Sequence, residues 1–235
     1  DMNNAILRES VEKLSNLGVF FVPPRDDYGK HNLPEEDVLV LALARAMSTS
    51  SLKGKNVIVT GGPTPVCLDD VRRITNKFTG RLGAQIAQAL YARGANVHLL
   101  HGQSTFTPSS VIPHEVVPTY GAYQTAIQTR LKTQKVDAAV FSAAVADYEP
   151  TEVTSGKVES GKSEWNIALK PTAKVIDEVA EAFEFFRRFD GGFPFALVGI
   201  HHFGHTRFQF VADAQFVVDH NVFQVIQTTF EVFHP

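Results

Sequence analysis

The stretch that decides the fold is NVIVTGGPTPVCLDDVRRITNKFTGRLGAQIAQALYARGANVHLLHG, residues 56–102. It opens on an apolar run (NVIVT), closes on another (NVHLL), and carries a helical pattern between them, about Leu82–Arg93. That is a strand–helix–strand unit of the kind that builds parallel sheets. A dinucleotide-binding unit places G-x-G-x-x-G directly after the first strand. Here Gly61-Gly62 end the strand, a long insert follows, and only then does Gly80-Arg81-Leu82-Gly83 open the helix. The insert carries Asp69, Arg72, Arg73 and Asn76 beside a helix N-terminus, where backbone N–H groups can receive an anion. The pattern predicts phosphate or carboxylate chemistry and argues against a plain nicotinamide site.

Working outward, residues 1–54 read as a leader. NAILRESVEKLSNLG places Ile6, Leu7, Val11, Leu14 and Leu17 on one helical face, with Gly18 as the stop. VFFVP reads as a short strand, RDDYGKHN as a polar loop, and residues 34–47 as a second amphipathic helix with Pro34 near its start. The Ser/Lys-rich STSSLKGK is the linker, so the domains are expected at 1–54 and 55–235.

Beyond Gly102, prolines at 108, 113 and 118 mark a loop, and GAYQTAIQTRLKTQK reads as a helix with Tyr123, Ile127 and Leu131 inward. DAAVFSAAV, residues 137–145, is a continuous apolar strand of the type covered on both faces. Ala143, Ala144 and Asp147 stand at its C-terminal end, where ligands of open α/β sheets bind. Residues 149–164 lack periodicity and are read as a mobile flap carrying Lys157 and Lys162. WNIALKPT alternates like a strand, AKVIDEVAEAFEFFRRF is an amphipathic helix, and FALVGI, FQFV and QFVVD are further strands. The fold class that results is α/β: a three-layer, Rossmann-like, mostly parallel sheet behind a small helical leader.

Composition bounds the function. With 235 residues, 44% hydrophobic and 20% charged, the chain is an ordinary globular one. A formal charge of −3 gives no case for nucleic acid or an acidic membrane surface. Its single cysteine, Cys67, excludes an internal disulfide and fits a reducing, cytoplasmic compartment. No apolar run reaches the roughly 18 residues of a membrane-spanning helix. His201, His202 and His205 include an i,i+4 pair, but with neither a helix nor a partner motif they are read as strand-exit residues. Phe208, Phe210, Phe216 and Phe223 are read as core or dimer packing.

Taken together and in order, Thr60–Thr64, Asp69–Gly83, Ala143–Tyr148, Lys157–Ser160, Lys170–Ile176 and Val198–Ile200 resemble the motifs of bacterial phosphopantothenoylcysteine synthetase. The resemblance spans roughly residues 55–200. Residues 1–54 resemble the tail of the flavin-dependent decarboxylase fused ahead of that synthetase in many bacteria. Only the end of its Pro-x-Met-Asn loop is present, at Met2-Asn3, so no flavin is expected in this chain. An excised synthetase half or a split-gene product is the expectation, with a decarboxylase domain or subunit as a partner.

The resemblance implies ligation of 4'-phosphopantothenate to L-cysteine through an acyl-nucleotidylate, with CTP as co-substrate, ATP as the alternative, and Mg²⁺. It also implies a homodimer. By resemblance Asn76 holds the substrate carboxylate and acyl intermediate, Arg72 and Gly80 join it at the substrate, and Lys157 closes over the triphosphate. Ala143, Ala144, Asp147, Ala173, Lys174, Val175, Ile176 and Ile200 fall at the nucleotide, and Asp147 is the candidate metal ligand. The residue types suit these roles: an amide can donate to a carboxylate, a guanidinium grips anions bidentately, and an ammonium is a point charge for phosphate. Without the motifs, Asn76 reads equally as a turn or N-cap, Asp147 as a loop cap, and Arg72 and Lys157 as solvated surface charges.

Departures are specific. The flap reads Lys-Val-Glu-Ser where the family has Lys-Ile-Lys-Lys, Phe78-Thr79 replaces Ser-Ser, and Ile200 replaces an aromatic. The basic helix that normally follows has no counterpart in HHFGHTRFQFVADAQF. Two rival readings follow. One is an NAD(P)-dependent reductase on the same fold, opposed by the missing G-x-G-x-x-G and the missing Tyr-x-x-x-Lys. The other is a degenerate homologue serving as a non-catalytic subunit.

Overall fold

The computed structural model describes residues 4–27, 29–103, 106–177, 179, 196–201 and 207–211. Helix α1 (Ala5–Asn16) starts where Asn4 caps it, its side chain accepting the Ile6 N–H at 2.9 Å, and none of its residues is buried. It is followed by hairpin strands β1 (Arg25–Asp27) and β2 (Lys30–Asn32), which replace the expected polar loop. Residues 19–23, expected as a strand, join no strand ladder among the described residues; an apolar β-branched run needs a free sheet edge to become a strand. Helix α2 (Glu36–Met47) then packs on the helix of the central unit.

That unit consists of β3 (Asn56–Gly61), a short hairpin of β4 (Val66–Cys67) and β5 (Arg73–Ile74), helix α3 (Arg81–Ala92) and β6 (Asn96–Gly102). Then come β7 (His114–Val117), α4 (Tyr120–Thr133), β8 (Ala138–Phe141), β9 (Tyr148–Pro150), β10 (Leu169–Pro171), β11 (Ala196–His201) and β12 (Arg207–Val211). Six strands form one sheet in the order β12-β11-β8-β3-β6-β7. Neighbours from β11 to β7 are parallel, and β12 closes one edge antiparallel.

The sheet divides two cores. On one face Val57, Val59, Val97 and Leu99 meet Ala84, Ile86, Ala87 and Leu90 of α3. On the other, Ile58, Leu100, Ala139 and Phe141 meet Tyr123 and Ile127 of α4. The three-layer, mostly parallel Rossmann-like arrangement is thus present. Its strand order carries a functional consequence. From β3 the chain passes through α3 to β6 on one side, then returns through α4 to β8 on the other. The switch point lies between β3 and β8, where ligands of open α/β sheets bind beyond the carboxyl ends.

Two glycines make that point possible. Gly80 caps α3 with φ 75°, a left-handed conformation that costs other residues energy. Gly83 lies so close to β3 that a Cβ there would stand 2.8 Å from both the Gly61 Cα and the Thr60 carbonyl oxygen. Helix and strand can approach this tightly only without a side chain.

The segment joining α2 to β3 is stitched to the far end of α3. The Arg45 guanidinium lies 4.5 Å over the Tyr91 ring and donates to the Tyr91 and Ala95 carbonyls and to Asn96. Ser48 donates to the Arg93 carbonyl at 2.8 Å, and the Gly54 N–H to Gly94 at 3.0 Å. Leu52 is buried in the α3-side core. Arg45, Tyr91 and Asn96 also border a cavity of about 470 Å³ where the strands begin, with Asn56, His98 and Lys135; it is remote from the strand ends that carry the motifs. Among the described residues no helix is long and apolar enough to cross a membrane.

Candidate active site

At the switch point the Thr60–Thr64 turn builds a cradle out of the chain that leaves β8. The buried Thr60 hydroxyl accepts the Ala143 N–H at 3.3 Å and the Tyr123 hydroxyl at 3.4 Å. Burial pushes the Tyr123 hydroxyl well above its ordinary range and the Thr60 bond draws it back, so it stays a neutral donor. The Thr64 hydroxyl accepts the Ala146 N–H at 2.9 Å. Ala144 donates to the Gly62 carbonyl at 2.8 Å, and its own carbonyl accepts the Thr64 N–H at 3.3 Å. Gly62 takes φ 74°, and the adjoining Pro63 carbonyl occupies the space a Cβ on Gly102 would need.

Asn76 joins this cradle from the insert. Its amide Nδ2 donates to the same Ala144 carbonyl at 3.0 Å, and the residue is exposed. One N–H of the amide and its oxygen remain for a ligand. On the other side of the cradle Thr172 donates its hydroxyl to the Ala146 carbonyl at 2.6 Å and its N–H to the Asp147 carbonyl at 3.0 Å. Lys174 pairs with Asp147 at 2.6 Å, both side chains about half exposed. The Ala173 carbonyl accepts the Tyr120 hydroxyl at 2.6 Å. Val175 is buried, and Ile176, half-buried, packs against the same α4-side core. Ile200 pairs with Phe208 across β11 and β12, and its side chain lies outside the described residues.

The insert is built as a clamp. The β4–β5 ladder turns at residues 68–72 around Asp69, whose carboxylate is fully enclosed. Asp69 Oδ1 accepts the N–H groups of Val71 (2.8 Å) and Arg72 (2.6 Å), and Oδ2 accepts Val158 N–H at 3.1 Å and Arg72 Nη1 at 3.2 Å. Burial alone would raise this carboxyl; the three backbone N–H bonds and the Arg72 charge outweigh it and hold it below the ordinary value. Arg72 also donates to the Val158 carbonyl at 3.2 Å and lies 4.8 Å over the Trp165 ring. A guanidinium has five donors, so Arg72 keeps donors for an anion while it holds the flap.

The flap is the loop between β9 and β10, whose antiparallel pairing closes its base. Of the expected strand WNIALKPT only Leu169–Pro171 enters that ladder. Lys157 stands exposed on the flap and makes no ion pair among the described residues. The structure therefore brings Asn76, Ala143, Ala144, Asp147, Ala173 and Lys174 to one strand-end cradle, with Gly80 capping the adjoining helix. Arg72 and Lys157 lie on a loop–flap junction fed by the same insert. Thr172, Asp70 and Trp165 have no role in the sequence reading, and Thr60 and Thr64 stand in it only as the ends of the Thr60–Thr64 motif, whose bracketing threonines are the signal for their hydroxyls.

His201 lies on β11, while His202, His205, Phe216, Phe223, the strand expected at QFVVD and most of the helix expected from Ala173 lie outside the described residues. Among the described residues no group of three His, Cys, Asp or Glu side chains could hold a metal ion.

The sequence profile of the DNA/pantothenate metabolism flavoprotein C-terminal domain matches residues 52–191. The coenzyme A biosynthesis bifunctional protein CoaBC of Thermococcus kodakarensis is 37% identical over 179 residues, which is 76% of this chain and 44% of that protein. Its counterpart in Haemophilus influenzae is 31% identical over 185 residues, 75% of this chain and 46% of that one. The chain thus spans under half the length of these curated relatives. Among solved structures, the DNA/pantothenate metabolism flavoprotein from Streptococcus pneumoniae superposes with a TM-score of 0.52 at 18% identity, covering 77% of this chain and 100% of that one. A Cab2 mutant in complex with phosphopantothenate-cysteine superposes with 0.51 at 15%, covering 99% and 97%. At those identities the likeness concerns the fold. With its matched region spanning the cradle, the insert and the flap, the chain belongs to the DNA/pantothenate metabolism flavoprotein C-terminal domain family.

Proposed function

We propose that this chain is a phosphopantothenate–cysteine ligase of coenzyme A biosynthesis, and that CTP is its nucleotide. In the first step the carboxylate of 4'-phosphopantothenate attacks the nucleotide α-phosphorus and pyrophosphate leaves. In the second, the cysteine amine attacks the acyl carbon of the mixed anhydride, the amide forms, and CMP and a proton are released. The observation that carries this reading is the convergence of separate motifs on one strand-end cradle, with the Asn76 amide fixed on the Ala144 carbonyl. The curated relatives and the phosphopantothenate-cysteine complex of a protein of like fold support it.

In this reading Asn76 presents its spare N–H to the substrate carboxylate and to the acyl oxygen as charge develops there. Arg72 and Gly80 adjoin it. Ala143 and Ala144 let the nucleotide approach the backbone, and Asp147, Ala173, Lys174, Val175, Ile176 and Ile200 border it. Lys157 faces the triphosphate. Asp147 offers one hard oxygen ligand, which fits Mg²⁺ carried in on nucleotide phosphates and completed by water, not an all-protein cage. Mg²⁺ would there offset phosphate charge. A homodimer, and a decarboxylase domain or subunit as partner, complete the proposal.

The test is pyrophosphate release with 4'-phosphopantothenate, Mg²⁺ and CTP or ATP, with and without cysteine, for wild type and Asn76→Ala. Turnover with CTP that is lost in the variant is expected. Turnover with ATP alone would replace the nucleotide, and silence with both would leave a non-catalytic subunit, the reading favoured by the Lys-Val-Glu-Ser flap.

A further inference from the structure

Lys157 sits between two residues, Gly156 and Val158, whose backbone N–H and carbonyl groups are all bonded to the insert. On one side the Gly156 N–H donates to Asp70 Oδ2 at 2.9 Å, while the Gly156 carbonyl accepts the Asp70 N–H at 3.1 Å. On the other the Val158 N–H donates to Asp69 Oδ2 at 3.1 Å, while the Val158 carbonyl accepts Arg72 Nη2 at 3.2 Å. The Thr154 N–H adds a bond to the Leu68 carbonyl at 3.1 Å, and Trp165 closes the flap's far limb against Arg72. Val158 is buried, whereas the Lys157 side chain between these fixed points is exposed.

From this we infer that Asp69 and Asp70 are positioning residues for Lys157, with the Arg72–Trp165 stack as the clasp that keeps the flap seated. The inference rests on the ligase reading for what Lys157 meets, the phosphates of a nucleoside triphosphate, and not for the positioning itself. A lysine is a compact charge on a flexible four-carbon stem. Its usefulness to a transferring phosphate depends on where its Cα is held, and an error of about 1 Å can cost two orders of magnitude in rate. Fixing the peptide on both sides confines that Cα. A carboxylate facing phosphate would repel it, but Asp69 turns its lone pairs to three backbone N–H groups and the Arg72 guanidinium, and Asp70 turns Oδ2 to the Gly156 N–H. They also lie on the insert that presents Asn76, so cradle and flap lysine share one support.

Asp70 is exposed, so Asp70→Ala should fold, whereas Asp69 is enclosed. The experiment compares wild type, Asp70→Ala, Asp70→Asn, Lys157→Ala and the Asp70→Ala/Lys157→Ala double variant in pyrophosphate release. Amide exchange at Gly156 and acrylamide quenching of Trp165, the single tryptophan of the chain, are measured alongside. Asp70→Ala should lower kcat about tenfold with the KM for 4'-phosphopantothenate within about twofold, and Asp70→Asn, which keeps an acceptor oxygen, should recover most of it. In the Lys157→Ala background Asp70→Ala should cost nothing further; losses that multiply would overturn the inference. Gly156 exchange and Trp165 quenching should both rise in Asp70→Ala. If wild type releases no pyrophosphate, the ligase reading falls and these two flap measurements decide alone: unchanged values would sink the positioning role.

Discussion

Asn76 and Ala144 are 68 positions apart in sequence and share a hydrogen bond of 3.0 Å, side-chain amide to backbone carbonyl. Through it the insert after β3 and the exit of β8 become one surface at the switch point. Replacing Asn76 with alanine removes both the bond and the donor offered to a ligand. Pyrophosphate release should fall about 10²–10³-fold, the usual cost of losing a donor to developing charge. Stability should change by no more than about 1 kcal/mol, since the residue is exposed. Asn76→Asp should be at least as damaging, because a carboxylate would face the Ala144 carbonyl and an anionic substrate. Steady-state kinetics with a thermal melt of each variant separates the two effects.

The Asp147–Lys174 pair predicts a different signature. Both side chains are about half exposed, so the pair adds little to stability, within about 1 kcal/mol. Lys174→Ala should raise the KM for the nucleotide about tenfold while leaving the KM for phosphopantothenate near its wild-type value. A nucleotide titration of the variant, followed by pyrophosphate release, would show it. An unchanged nucleotide KM would remove Lys174 from the site.

Gly83 has no room for a methyl group, because its close neighbours are the backbone of Gly61 and Thr60. Gly83→Ala should therefore separate α3 from β3 and destabilise the domain by about 1–3 kcal/mol. A lowered denaturant midpoint with an unchanged slope is the expected result. Gly121, with nothing within 4 Å of where its Cβ would stand, is the matched control, and Gly121→Ala should be close to neutral.

Two histidines tie stability to pH. Burial lowers the pKa of both His98 and His101 from the ordinary 6.5, with Arg130 adding to the effect at His98. His114 works in the same direction on both; Glu115 opposes it at His98 and the Gly102 carbonyl at His101. Each ring also has a buried Nε2 without a partner among the described residues. Below pH 6.5 the unfolded chain therefore binds more protons than the folded one. The stability that neutral His98 and His101 contribute is complete above that value and is lost as pH falls toward their lower folded values. Each group accounts for a slope of at most about 1.4 kcal/mol per pH unit. Urea midpoints between pH 7.5 and 5 should fall accordingly, and His101→Gln should flatten the fall.

The parallel sheet and the α3 and α4 layers were legible because apolar runs and helical periodicity are carried locally, as in NVIVT and around Ile86 and Leu90. The location of the cradle was legible too, since Gly61-Gly62 and Ala143–Asp147 stand directly at strand ends. The clamp was not. β4 and β5 have two residues each, too short for any period, and their turn is set by the hydrogen bonds of Asp69 rather than by a glycine or proline. β7 was hidden in a proline-bearing loop, and its pairing comes from β6. Residues 19–22 are as apolar and β-branched as a strand, yet strand formation needs a partner edge that local sequence does not encode. The partners of Arg72 were equally hidden, because Trp165 and Val158 lie far along the chain.

The stitching of residues 45–54 to the end of α3 has a consequence for how the polypeptide comes apart. A protease that cuts within residues 49–51 would break the covalent link between α2 and β3 and little else. Arg45 and Ser48 would still hold the Tyr91, Arg93 and Ala95 carbonyls from one side of the cut, and Gly54 would hold Gly94 from the other. The nicked protein should migrate as one species under native conditions and resolve into two fragments only in denaturant.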